Sequence, residues 1–450
     1  MSRHPKGLII LFFTELWERF SFYGMKVLLV LFLVSDERGG FGWSNDSALS
    51  LLGIYMMMVY VMSIPGGILA DRVFGQRRSV LIGGALLCVG HGMMVIPAVW
   101  SFYTALVFIV CGVGLLKPNI STMVGSLYSQ NDPKREEGFT IFYMGINLGS
   151  FIATLLVAYV GERIGWHLGF SLAGIGMLLG QIVFVLGRKH LHGVGEFVPT
   201  KAVAEEPRHS FSPTQKDRIK VILISLIVVF VFWVSFEQAS GLLTLYTKQY
   251  TNRVVLGWEI PTSMFQSLNA GFILLFGTAV AGFWARRAKR GARSSTLFKM
   301  GIGTIILGLG YVFMIGASLE RSSSLSGQSA LFWLATTYLF HTIGELCLSP
   351  VALAFITRVS PKRIVGTMMG LFWAATGLAN FFAAQVGRLA GNLGEMAIFG
   401  GLIAFCTIMG SLLALFSGRL NRLTHGYEGG DPELEKKIVE LPIKADPVSA

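Results

Sequence analysis

The sequence predicts an all-α integral membrane protein, with 12 transmembrane helices in two six-helix bundles. Three observations lead there. Of 450 residues, 53% are hydrophobic and only 14% charged, where a soluble globular chain carries about 25% charged residues. Apolar runs recur, each near the roughly 20 residues that cross a bilayer. A polar stretch at 188–217, containing EEPRHSFSPTQKD, divides these runs into six and six. In hydrocarbon only helices and closed barrels satisfy their own backbone hydrogen bonds, and the runs are too long and too uniformly apolar for barrel strands.

The first span, 7–34, is apolar at both ends (LIILFF, VLLVLFLV) but holds TELWERFSFYGMK between them. The second, 47–70, ends beyond a glycine pair, and the third, 78–97, begins on the second residue of an arginine pair. The charged SQNDPKREE separates the fourth, 99–128, from the fifth, 138–160, and the sixth, 166–187, stops at GRKH. Beyond the linker the seventh, 219–247, is a long unbroken run, and KQYTNRVVLGWEIP leads to the eighth, 262–285. RRAKRGAR precedes the ninth, 296–317, and ERSSSLSGQ the tenth, 329–357. SPKR and GNLG bound the eleventh, 363–388, from its neighbours, and the twelfth is 395–417. The implied units are 1–187, a linker 188–218, 219–417 and a polar tail 418–450, with the linker flexible apart from a short surface helix.

The net charge of +12 does not describe a nucleic-acid interface, because the basic residues are spread over short loops. Lysine and arginine counts set orientation. One side receives Arg72, Arg77, Arg78, the linker, 286–293, Arg358, Lys362 and Arg363, and the other Arg38, Arg163, Lys248, Arg253, Arg321 and Arg388. Both termini are therefore expected to be cytoplasmic. The first run is too long for a signal peptide and has charges inside it, so it stays as a helix. The four cysteines lie singly in apolar runs, a pattern of core residues without a disulfide framework or zinc site. No HExxH, phosphate-binding loop or GxSxG occurs, so an enzyme is not expected.

Few ionisable residues remain inside the spans: Glu15, Glu18, Arg19, Lys26, Lys117, Glu237 and Glu345. Each costs at least about 2.5–3.5 kcal/mol at a helix centre, so each should face a partner or a wet cavity. At about 100° per residue, Glu15, Glu18, Arg19, Phe22 and Lys26 share one stripe while Trp17, Phe20 and Leu28 point elsewhere. Glu15, Glu18 and Arg19 are close enough to pair. The set reads either as static packing bridges or as working groups. Four acids against three bases favour the second, since the set can hold a proton. His341 and Glu345, four apart, have the spacing to share a metal or a proton, though a hydrogen-bonded structural histidine is the expectation.

The halves echo each other: GLLKP (114–118) and GELCLSP (344–350) each put a charge before a helix-breaking proline. Repeated halves with polar residues at mid-depth suit an alternating-access carrier. The loop GGILADRVFGQRR (66–78) resembles the loop motif of the major facilitator superfamily. There Gly67 would permit close helix approach, Asp71 would cap a neighbouring helix or pair with an arginine, and Arg72 and Gly75 complete the pattern.

The motif ELWERFSFYG (15–24) resembles the first-helix hallmark of the proton-dependent oligopeptide transporters. FYMGINLGS (142–150), FWVSFEQ (232–238), FQSLN (265–269) and GELCLSP resemble further blocks of that family, in order along nearly the whole chain. The resemblance implies a proton-coupled symporter importing di- and tripeptides, driven by the proton gradient without a cofactor. It implies that Glu15, Glu18 and Arg19 handle protons with Lys117 as their salt-bridge partner, and that Glu237 alternates between a proton and the basic residue at 26. Lys26 and Lys117 would face the peptide carboxylate. Asn147, Asn269 and Glu345 would hold its ammonium, and Tyr23 and Tyr60 would add hydroxyls.

Three departures stand out. Lys26 replaces the family's arginine and loses its bidentate fork, Phe22 replaces a tyrosine, and the linker lacks the apolar length for two extra helices found in many bacterial members. Alternatives are a carrier of another small anion or zwitterion (nitrate, a peptide-like drug) and a substrate sensor with vestigial transport. The expected setting is the lipid bilayer of a bacterial inner membrane, as a monomer, with no nucleic-acid partner.

Overall fold

The computed structural model describes residues 4–128, 134–196, 211–291, 295–361 and 364–426. Parts of the linker and tail, and Arg293, Lys362 and Arg363 of the basic loops, lie outside these residues. The chain runs α1 (Lys6–Val34), α2 (Asn45–Val61), α3 (Ser63–Leu69), a π-turn (Ala70–Phe74), α4 (Gln76–Met93), α5 (Val99–Ser126), α6 (Arg135–Arg163) and α7 (Trp166–Gly187). It continues as α8 (Pro213–Phe236), a 3-10 turn (Glu237–Ser240), α9 (Leu242–Tyr250), the hairpin β1 (Val254–Val255) and β2 (Trp258–Glu259), and a 3-10 turn (Thr262–Gln266). Then come α10 (Ser267–Lys289), α11 (Thr296–Ser323), α12 (Leu331–Val359), α13 (Val365–Leu393) and α14 (Glu395–Arg422).

Among the described residues ten helical segments are long and apolar enough to cross a membrane. The chain is therefore a multi-pass integral membrane protein. The segments outside this set are those whose composition is diluted, α1 by its four central charges and α4 by Arg77, Arg78 and its glycines.

One apolar core draws on α1–α7, from Leu8 to Leu191 with Leu245 added, and a second on α8–α14, from Val221 to Leu413. Between them α2 packs on α13 and α6 on α10. The first core takes in Leu191, fully buried, so the linker begins as part of the first half. At its other end α8 starts at Pro213 under a capping box from Ser212 and Gln215. Helix α1 is buried on nearly every face, Phe20 and Leu28 included. Its polar stripe is thus one buried face among several.

Five local expectations are corrected. The seventh span is not one helix: a 3-10 turn at Glu237–Ser240 interrupts it. Pro118 and Pro350 do not break their helices, which continue through them. A proline without an N–H frees the carbonyl four residues back. For Pro118 that is Gly114, whose oxygen lies only 2.0 Å from where a Cβ on Gly66 would sit. So Gly66 makes the close approach, while a Cβ on Gly67 would meet nothing within 4 Å. Finally, 66–78 is mostly helical rather than a loop, turning at Gly75 with φ 75°, a region that favours glycine. Asp71 and Arg72 are exposed there. Among the described residues Asp71 enters no ion pair within 4.0 Å, and Gly75 rather than Asp71 stands at the N-cap of α4, with no side-chain cap.

Helices α1 and α6 run side by side in one direction, Phe12 against Gly145 and Leu28 against Gly161. The end where both begin is the near face below, and the end where both finish is the far face.

Candidate functional site

The buried ionisable groups collect where the halves meet. Lys26 Nζ, in the second half of α1, lies 2.8 Å from Glu237 Oε2 of the other half, with side chains only 8% and 7% exposed. The interruption of the seventh segment positions the acid, since Glu237 is the C-cap of α8 and starts the 3-10 turn. Ser240 Oγ donates to the same oxygen at 3.3 Å. Gln238 Nε2 ties the turn to α13 through the Ala383 carbonyl at 2.9 Å.

Toward the near face, Arg19 holds both acids of its own helix. Its Nε and Nη2 bond the two oxygens of Glu18, and Nε lies 3.2 Å from Glu15 Oε1. Glu15 Oε2 is buried with no hydrogen-bond partner among the described residues. One guanidinium thus serves two carboxylates, leaving one negative charge for a proton or another cation to balance.

Lys117 does not supply that balance here. Among the described residues it has no carboxylate within 4.0 Å. Its ammonium sits 4.4 Å from the centre of the Tyr60 ring and 5.0 Å from that of Trp373. Those rings stack across the halves at 6.0 Å and 15°. The expected salt bridge is therefore replaced by cation–π contacts, which hold a charge while leaving it free to be drawn to an anion.

On the opposite side of the interior, Asn269 of α10 donates to Glu345 Oε2 at 2.8 Å and to Thr342 Oγ1 at 3.1 Å. Asn147 is not joined to this pair: its amide bonds the Tyr143 carbonyl of its own helix at 3.0 Å. Its helix α6 nonetheless packs on α10, where Phe151 touches Gly271. The hydroxyls of Tyr23 and Tyr60 bond no side chain or backbone group among the described residues, and Tyr23 sets its ring edge-on to Phe22 at 5.4 Å.

His341 does not take the hydrogen-bonded role expected of it. Both ring nitrogens are buried without partners, and the ring packs on Tyr311 with centroids 4.8 Å apart. His91 is 2.5 Å from Ser21 Oγ. Sequence reasoning passed over Trp373, Ser240 and Thr342. Trp373, the large aromatic in GLFWAATG, offered a weak signal, whereas the other two are ordinary helix hydroxyls until the fold brings them to Glu237 and Asn269.

A multi-pass membrane protein whose paired charges sit inside, and whose central ion pair joins its two halves, belongs to the class of membrane carriers. Its family is identifiable as well: the chain belongs to the POT family, whose model matches residues 77–197 and 198–398. It is similar to the uncharacterized transporter YclF of Bacillus subtilis, 34% identical over 475 residues that cover 94% of this chain and 96% of the relative. The peptide transporter YePEPT of Yersinia enterocolitica is 34% identical over 493 residues, covering 95% and 96%. Among solved structures, a mutant form of a peptide transporter POT in complex with alafosfalin superposes with a TM-score of 0.86 at 34% identity, covering 93% of this chain and 96% of that one.

Proposed function

We propose that the chain is a proton-coupled symporter importing di- and tripeptides by alternating access. Its helices would form 12 transmembrane spans in two six-helix bundles of the major facilitator kind, 1–187 and 219–417, joined by the linker and followed by the tail. The observation that carries this reading is the Lys26–Glu237 ion pair between the halves. A proton on Glu237 removes the partner of Lys26, and a peptide carboxylate is the anion that can take its place. Losing the proton restores the pair and releases the peptide. Lys117, held only by aromatic faces, is available to the same carboxylate, and the Asn269–Glu345 pair to the ammonium at the other end. Glu15, Glu18 and Arg19 would carry the coupling proton, Asn147 would join the ammonium side, and Tyr23 and Tyr60 would add hydroxyls.

The proton gradient would be the energy source, with no cofactor. Net charge moving inward gains about 2.3 kcal/mol per charge per 100 mV. The setting would be a bacterial inner membrane with both termini cytoplasmic, the protein acting as a monomer in the bilayer.

The test is uptake of labelled dialanine into proteoliposomes with and without an inward proton gradient, competed by tripeptides, amino acids and nitrate. Gradient-driven accumulation blocked by tripeptides alone is expected. Uptake indifferent to the gradient, or competed by nitrate, would sink the reading. The alafosfalin held by the solved relative favours one wider version, in which the substrate range extends to peptide-like drugs.

A further inference from the structure

Glu162 is the penultimate residue of α6, at the far face, and its side chain reaches into the other half. Its Oε2 accepts the Thr262 N–H at 2.8 Å and Oε1 the Ser263 N–H at 2.6 Å, with the Ser263 hydroxyl also donating to Oε1. Thr262 and Ser263 open the helical run that continues as α10, and Pro261 before them provides no side-chain cap. The first N–H groups of a helix lack partners of their own and form the positive end of its dipole. Glu162 is therefore the cap of that run, supplied by the opposite half.

The same position is unfavourable for α6 itself, because an acid in a helix's last turn opposes its own dipole. The carboxylate is favourably placed only while the halves touch. Two ion pairs also join the halves at the far face, Arg163–Glu259 at 3.4 Å beside it and Arg388–Asp46 at 2.6 Å between α2 and α13, but their carboxylates are 47% and 56% exposed. Exposed pairs contribute little. Ser263 and Thr262 are only 0% and 3% exposed and Glu162 is half-buried, so its bonds are better sheltered from water than those ion pairs. Arg38 steadies the arrangement by donating to the Glu162 carbonyl.

We infer that Glu162 is the latch of a far-face gate, holding the halves together there and setting how often the carrier opens to that side. The inference rests on the alternating-access reading above and goes beyond it by naming the contact that opening must break. Parting the halves strips the carboxylate of its donors at once. It also leaves the first N–H groups of the 262–289 helical run uncapped until water reaches them.

The experiment places spin labels at Asp36→Cys and Leu256→Cys, exposed far-face positions on the two halves. The four native cysteines are replaced by alanine, and distances are read by double electron–electron resonance in nanodiscs without peptide. Glu162→Ala is expected to raise the ratio of long to short distances about tenfold or more, as loss of charge-assisted hydrogen bonds implies. Ser263→Ala, which removes one donor and keeps the backbone bonds, should give a smaller rise in the same direction. Unchanged distances in both variants would overturn the inference at any melting temperature, and a lowered melting temperature beside them would make Glu162 a static cap. Should Glu162→Ala fail to fold, Ser263→Ala decides: a rise supports the latch and no rise overturns it. No transport is read, so a failure of peptide uptake would count against the proposed function while this measurement still judged the gate.

Discussion

Lys26 and Glu237 meet at 2.8 Å between halves that build separate apolar cores, and each is the ionic partner of the other among the described residues. Burying two charges is costly, and their attraction repays the cost only with good geometry. The 3-10 turn provides that geometry by presenting Glu237 at a helix end, where Ser240 also reaches it.

Removing one partner leaves the other buried and uncompensated, which costs about 3–5 kcal/mol. Glu237→Ala should therefore lower the melting temperature in detergent more than the double variant Lys26→Ala/Glu237→Ala. A double variant as unstable as the two single losses added together would show that the residues do not act as a pair.

Lys26→Ala should weaken peptides with a free C-terminus far more than C-amidated ones, by about tenfold or more for the loss of a charged hydrogen bond. The comparison is competition for dialanine uptake by matched acid and amide dipeptides. Equal losses for both would remove Lys26 from carboxylate recognition.

Glu18→Gln keeps an acceptor for Arg19 but removes a charge from the Glu15–Glu18–Arg19 group. The variant should retain peptide exchange at equal pH and lose uphill accumulation under a pH gradient. Normal accumulation in proteoliposomes would show that Glu18 does not couple.

Gly66 and Gly67 are neighbours in sequence and opposites in space. Gly66→Ala would drive a methyl to within 2.0 Å of the Gly114 oxygen, which must shift, whereas Gly67→Ala meets nothing within 4 Å. The first should lower the melting temperature by several degrees. The second should be neutral or raise stability by about 0.5–1 kcal/mol, as replacing a helical glycine does. Thermal melts of the two variants side by side check both.

Much of the protein is legible in its sequence. The span boundaries of α1 and α7 agree to within a residue or so, since hydropathy over about 20 residues is a local property that the bilayer reads directly. The ionisable inventory of the interior is equally visible, because a charge inside an apolar run has no other explanation. Its pairing was not visible. Lys117, expected beside the acids of α1, rests on Tyr60 and Trp373. His341, expected to be hydrogen-bonded, instead lies between aromatic rings.

By itself, then, the sequence determined a multi-pass helical membrane protein of the POT family with lysines supplied by its first half and carboxylates by both. Only the tertiary structure decided which charges meet, that Glu237 sits at a helix end, that Gly66 rather than Gly67 touches Gly114, and that Glu162 caps a helix of the other half. The division has one cause. Helix periodicity records which residues share a face, whereas a 2.8 Å contact depends on how helices far apart in the chain are rotated and spaced, and that is settled only when the two halves pack.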